Sequence, residues 1–95
     1  MGTKDEYVRK LHEALDRFST EIDHLSEKGA RAGEETKAGI EERLAEARVK
    51  RDEAKARLAE LHAAGDSAWE DLKAGAELAW TALGSAIDSA KSRFK

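Results

Sequence analysis

Cysteine and proline are absent from the chain, and only five of its 95 residues are aromatic: two tryptophans, two phenylalanines and one tyrosine. Without cysteine there is neither a disulfide scaffold nor a thiolate metal site. Without proline, nothing covalent forces an interruption on a helix. An apolar share dominated by alanine leaves too little bulk for the large core from which an enzyme cleft is usually carved. Long apolar runs are missing as well. The longest uncharged stretch, residues 78–87, has ten residues, against the roughly 20 that a helix needs to cross a bilayer. That excludes a transmembrane segment. The opening residues mix both charge signs, unlike a secretory leader, so a cytoplasmic location is expected.

An excess of one charge is missing too. Seventeen Lys and Arg against twenty Asp and Glu give a net charge of −3, spread as −3 over residues 1–36, +1 over 37–65 and −1 over 66–95. No segment is basic enough to suggest nucleic acid as a partner. What is present is 39% charged and 40% hydrophobic residues, a mixture that reads as long helix and gives an all-α class.

One place carries a full stop-and-start signal for helices. In Leu61-His62-Ala63-Ala64-Gly65-Asp66-Ser67-Ala68-Trp69-Glu70, Gly65 suits a left-handed residue just past a helix end, and Ser67 with Glu70 has capping-box spacing. A helical hairpin is therefore expected, with a turn over 64–67. The stretch from Ser26 to Gly39 is weaker: Gly29, Gly33 and Gly39 loosen it, but only Thr36 offers a cap. The primary expectation is one long helix over 4–63 and a shorter returning helix over 67–94. The alternative breaks the first helix near Gly29–Gly33 and gives a three-helix bundle. Either way the chain reads as a single domain.

Apolar spacing supports this. Val8, Leu11, Leu15, Phe18, Ile22 and Leu25 alternate steps of three and four, a heptad seam of large side chains. From Ile40 the seam resumes through Leu44, Ala47, Arg51, Ala54, Leu58 and Leu61, shifted by one residue. After the turn, Trp69, Leu72, Ala76, Trp80, Leu83, Ile87 and Phe94 follow an eleven-residue repeat, which keeps a straight stripe on one helix face. Closing the hairpin at Gly65 and Asp66 makes the numbers of facing residues add to 131. Leu44 then faces Ile87, Arg51 lies across Trp80 as a cation-π contact, and Arg43 pairs with Asp88. The expected hairpin packing set is Leu44, Arg51, Leu58, Leu61, Trp69, Leu72, Trp80, Leu83 and Ile87.

The returning helix is too short to cover the seam from Val8 to Leu25. Six large apolar side chains left bare on a helix call for a partner, so homo-oligomerisation as a dimer or trimer through Val8, Leu11, Leu15, Phe18, Ile22 and Leu25 is expected. The further partner, if any, is a protein of unknown identity.

Chemistry-bearing patterns are sparse. Glu21 and His24 have the Glu-x-x-His spacing of carboxylate-bridged di-iron bundles, but only one copy is present and both residues fall on the solvent side of the seam; ordinary surface residues are the simpler reading. No catalytic constellation is apparent, so no enzyme activity, cofactor or metal is expected. The basic residues of 43–57 interleave with Glu46, Glu53 and Glu60, as on a solvated face. Acid-first pairs four apart, among them Glu46 with Lys50 and Glu53 with Arg57, support the helix. The stretch Trp69–Phe94, with terminal Lys91, Arg93 and Lys95, offers a second use as an amphipathic helix lying on a lipid surface. Its small residues fit close helix packing better.

Tyr7-Val8-x-Lys10-Leu11, Ala47-x-x-Lys50-Arg51-Asp52-Glu53-Ala54, Ala68-Trp69-Glu70-Asp71-Leu72-Lys73-x-Gly75 and Ser92-Arg93-Phe94-Lys95 together resemble a family of small bacterial coiled-coil proteins of unassigned biochemistry. The resemblance spans nearly the whole chain and rests mainly on the Trp-Glu-Asp-Leu-Lys-x-Gly signature. It implies a non-enzymatic coiled-coil protein, stress-associated in some members, with no catalytic residues to carry over. Glycine at 29, 33 and 39 departs from the alanine or acidic residues of such relatives. A self-associating structural or protein-interaction protein is the function expected from all of this, with a peripheral lipid-surface or stress-protective protein as the alternative.

Overall fold

The computed structural model of the chain describes residues 3–65 and 67–94, with Thr3 and Phe94 placed by backbone only. Three α-helices account for most of it: α1 over Thr3–Ala30, α2 over Glu34–Ala63 and α3 over Trp69–Lys91, followed by a 3-10 turn at Ser92–Phe94. Among the described residues there is no strand. The helices lie side by side in a rod 50 Å long and 18 Å across.

The helix expected over 4–63 is interrupted at Arg31–Gly33, which favours the alternative of three helices broken near Gly29–Gly33 over the single long helix. The Arg31 N–H donates to the Lys28 carbonyl and the Ala32 N–H to that of Gly29, tightening the end of α1; α2 then starts from the Gly33 carbonyl, which accepts from Lys37 at 2.8 Å. The energetics favour the break. Folding α1 back buries Leu15, Ile22 and Leu25 to 7, 0 and 4% exposure, stabilising by roughly 5–9 kcal/mol at about 1.5–3 kcal/mol per large apolar side chain. Interrupting the helix forgoes about three backbone hydrogen bonds worth about 1 kcal/mol each. The seam wins.

Gly29 makes the close return possible. A Cβ there would stand 2.8 Å from Cγ2 of Ile40, a side chain with no exposed surface. The glycine read from sequence as a loosening element is a point of close approach between α1 and α2. The antiparallel course follows from the shared contacts: His12 and Asp16 of α1 line one groove with Arg51 and Lys55 of α2, and the Arg48 guanidinium donates to Ser26 Oγ at 3.3 Å.

The second turn falls where the sequence puts its stop signal, but works differently. Ala64 leaves α2 in extended backbone, φ −71° and ψ 148°, with its N–H bonded to the Leu61 carbonyl. No described glycine has positive φ, so Gly65 is not left-handed. Its carbonyl instead accepts from the N–H groups of Ala68 and Trp69, at 3.1 and 3.2 Å. The helix starts at Trp69, and Ala68 at its cap is helical with no side-chain bond; Ser67 does not cap it. Asp66 of the expected turn lies outside the described residues.

Along the α2–α3 pair, Glu53, Ala56 and Arg57 of α2 share one groove with Gly75, Leu78 and Ala79 of α3, an antiparallel arrangement. Ala47, Ala54, Ala76, Ala86 and Ala90 are buried in this core, so small side chains let the backbones come close.

Candidate interaction surface

Each sequence-derived interface residue has a place in this arrangement. Leu15, Ile22 and Leu25 are buried, and Val8, Leu11 and Phe18 are half-buried against the same core. The seam expected to await another chain is covered by α2 and α3 of its own. Of the hairpin packing set, Leu44, Leu58, Leu61, Trp69, Trp80, Leu83 and Ile87 are buried and Leu72 is half-buried. Arg51 departs from its expected position. Its guanidinium reaches Asp52 at 3.5 Å and lines the α1–α2 groove with His12, Asp16 and Lys55, so the cation-π contact with Trp80 is not made. With α1 packed beside it, the exposed route for Arg51 runs toward acidic Asp16 and Asp52. The indole N–H of Trp80 is buried without a partner. Arg43 and Asp88 likewise form no ion pair among the described residues; on this stretch of α2 Lys50 pairs with Glu53 and Arg57 with Glu60, each three residues apart.

At the end of the rod that holds the α2–α3 turn, the start of α1 is clasped. Tyr7 packs on Trp69 with ring centroids 5.7 Å apart, and the Lys73 ammonium lies over both rings at 5.1 and 5.4 Å. The Tyr7 hydroxyl donates to Glu77 Oε1 at 3.2 Å, and the Lys4 ammonium donates to the Ala64 carbonyl. Burial, together with the hydrogen bond to Glu77 and its negative charge, pushes the Tyr7 hydroxyl pKa up to about 12. Near the far end, Lys91 pairs with Glu21, and this hydrogen-bonded carboxylate raises the lysine's pKa. Glu21 is thus committed to a cation across the α1–α3 contact. No cluster of three or more His, Asp or Glu able to hold a metal is formed among the described residues.

Among the described residues, Val49 on α2 and Leu78 on α3 are the exposed large hydrophobics, at 57 and 72%. Leu78 borders a shallow groove of about 480 Å³ lined by Glu53, Ala56, Arg57, Gly75 and Ala79. Val49 stands one helical turn before Glu53 on the same face. A Cβ at Gly75 would meet nothing within 4 Å, so the groove floor is open. Sequence reasoning passed over Val49 and Leu78 because each interrupts a polar face singly and belongs to no repeat.

The stripe that would serve a lipid surface points the other way: Trp69, Trp80, Leu83 and Ile87 are buried, while Lys95 and the Phe94 side chain lie outside the described residues. Among the described residues, no helix is long and apolar enough to cross a membrane. No protein-family model, characterised protein or solved structure matches the chain.

Proposed function

We propose that this protein is a non-enzymatic, self-associating structural module, that the three-helix arrangement is its working monomer, and that the outer face of α2 and α3 is its contact surface. The observation that carries this reading is the pairing of two exposed large hydrophobics, Val49 and Leu78, with an open groove between their helices. A second copy of the chain is the occupant that the charges favour. Along the groove edge Lys50, Glu53, Arg57 and Glu60 alternate in sign. In antiparallel apposition such a row is its own complement: Lys50 meets the copy's Glu60, and Glu53 meets the copy's Arg57. That is the self-complementarity a two-fold interface requires. The charges set register, and Leu78 seated over Ala56 and Gly75 supplies the apolar contact.

Sedimentation velocity across micromolar to high micromolar concentration tests it. The wild type forms a dimer that Leu78→Asp abolishes while helix content is kept. Glu53→Arg weakens the dimer by placing like charges opposite, and adding Arg57→Glu restores it. A wild type that stays monomeric throughout, or a Leu78→Asp variant that dimerises as well as wild type, sinks the proposal.

A further inference from the structure

We propose that α1 is an exchangeable arm: Arg31, Ala32 and Gly33 straighten into helix, α1 and α2 become one rod, and the α1 of each copy takes up on the other the place it holds on its own. This does not rest on the outer face of α2 and α3; it uses neither Val49 nor Leu78.

The hinge is built for it. It is three residues long and holds no proline. None of its residues has positive φ. Gly33 sits at φ −64° and ψ 159° with no side-chain cap on α2, and nothing lies within 4 Å of where its Cβ would be. A short connection between antiparallel helices whose sequence also suits a helix is the setting in which identical elements trade places.

The contacts survive the exchange. Everything that covers the seam of α1 belongs to α2 and α3, and is present on a second copy. The α1–α2 pairing is antiparallel about the hinge, with His12 and Lys55 lining one groove toward one extreme and Gly29 against Ile40 near the other. Two straight rods crossing antiparallel at the hinge put those same residues opposite each other between chains. Leu25 and Ile40 are fifteen positions apart, so at about 100° per residue the two halves of the seam lie within about 60° on a straight rod. One side of the rod then carries both.

The polar contacts that tie α1 to α3 are ones that water can replace. The Tyr7 hydroxyl bond to Glu77 is exposed, and the Lys91–Glu21 pair is 49 and 39% exposed.

The test uses chains refolded at high micromolar concentration in a Leu78→Asp background, where face-to-face pairing is removed. Refolding at this concentration lets chains trade arms, so the background, monomeric when never unfolded, yields a dimer fraction. Gly33→Ala tightens that dimer about thirty-fold, since two hinges each gain alanine's helix preference over glycine. Gly33→Pro loses it: the ring fits the observed φ and costs no backbone bond, because the Gly33 N–H donates none, but proline inside a rod removes a helix bond and clashes with the preceding turn. A direct distance keeps the idea exposed should Gly33→Pro fold poorly. Spin labels on His12→Cys and Lys55→Cys, clean because the chain has no cysteine, are diluted with unlabelled chains before refolding. In the dimer they sit about 65 Å apart if the rod is straight, at about 1.5 Å per residue, and share one groove if it is bent. A dimer with a short separation, a Gly33→Ala variant that remains monomeric, or a folded Gly33→Pro variant that dimerises like the background overturns the proposal.

Discussion

The two turns of this protein make an instructive contrast. The turn after α2 carries glycine, aspartate and serine, the residues from which a turn is ordinarily read. The turn after α1 is Arg31-Ala32-Gly33, in a stretch whose weaker signal is glycine at 29, 33 and 39 without a strong cap. Both reverse the chain within a few residues. The strongly marked turn does not use its markers in the expected way, since Gly65 is not left-handed and no side chain caps Trp69. The weakly marked turn exists because of what lies on either side of it: a seam that gains by burial, and Gly29 without a Cβ to meet Ile40. Local sequence can announce a turn, but buried area and close approach are enough to impose one.

The contrast breaks most decisively if α1 is not core. Ile22 on α1 and Leu83 on α3 are both fully buried, so Ile22→Ala and Leu83→Ala should each cost about 2–5 kcal/mol in chemical denaturation. An Ile22→Ala cost several times smaller would mean that α1 is only loosely applied. Next in size is the glycine pair. Gly29→Ala forces a contact at 2.8 Å on Ile40, an overpacking worth about 1–3 kcal/mol, partly offset by alanine's helix preference of about 1 kcal/mol. It should destabilise. Gly39→Ala, in α2 with nothing near its Cβ, should stabilise by about 0.5–1 kcal/mol. Same sign for both variants would remove Gly29 from the closing of the first turn.

Smaller still is the cap comparison. Ser67→Ala should shift stability by less than about 0.5 kcal/mol, because α3 takes no capping bond; a working capping box would lose about 1 kcal/mol. Gly33→Asp should add a few tenths at the start of α2, where the backbone is already extended and uncapped. The last effect is one of pH. Tyr7 ionises near 12 when folded against 10 for an ordinary tyrosine. The folded state therefore holds this proton more tightly, and its contribution is fully present below pH 10, then lost as pH rises toward 12. Thermal melts of wild type should lose stability faster than Tyr7→Phe across that interval, modestly, since the clasp faces water.

Much of the arrangement was legible beforehand. Steps of three and four pick out Trp69, Trp80, Leu83 and Ile87, which are buried on α3, and the expected antiparallel return brings Gly75 and Leu78 to the same groove as Glu53 and Ala56. Periodicity reports which face of a helix is apolar, and small residues report where backbones approach. It does not report which neighbour covers the face. The seam from Val8 to Leu25 therefore read as open to another chain, and Arg51 read as lying on Trp80, because α1 was not counted among the neighbours of α2. Val49 and Leu78 were illegible for the opposite reason. A lone apolar residue on a polar face has no spacing to mark it, and gains meaning only when two helices bring such residues to one side.

Composition and periodicity by themselves determined that this chain is helical, where its apolar stripes run and that it reverses after Ala63, because those properties depend on near neighbours in the chain. Only the tertiary structure decided that it also reverses after Ala30, that the N-terminal seam is spent on its own chain, and that Val49 and Leu78 face outward from adjacent helices. Those outcomes depend on burial between residues far apart in sequence, where several kcal/mol of packing outweigh the preference of three residues to stay helical.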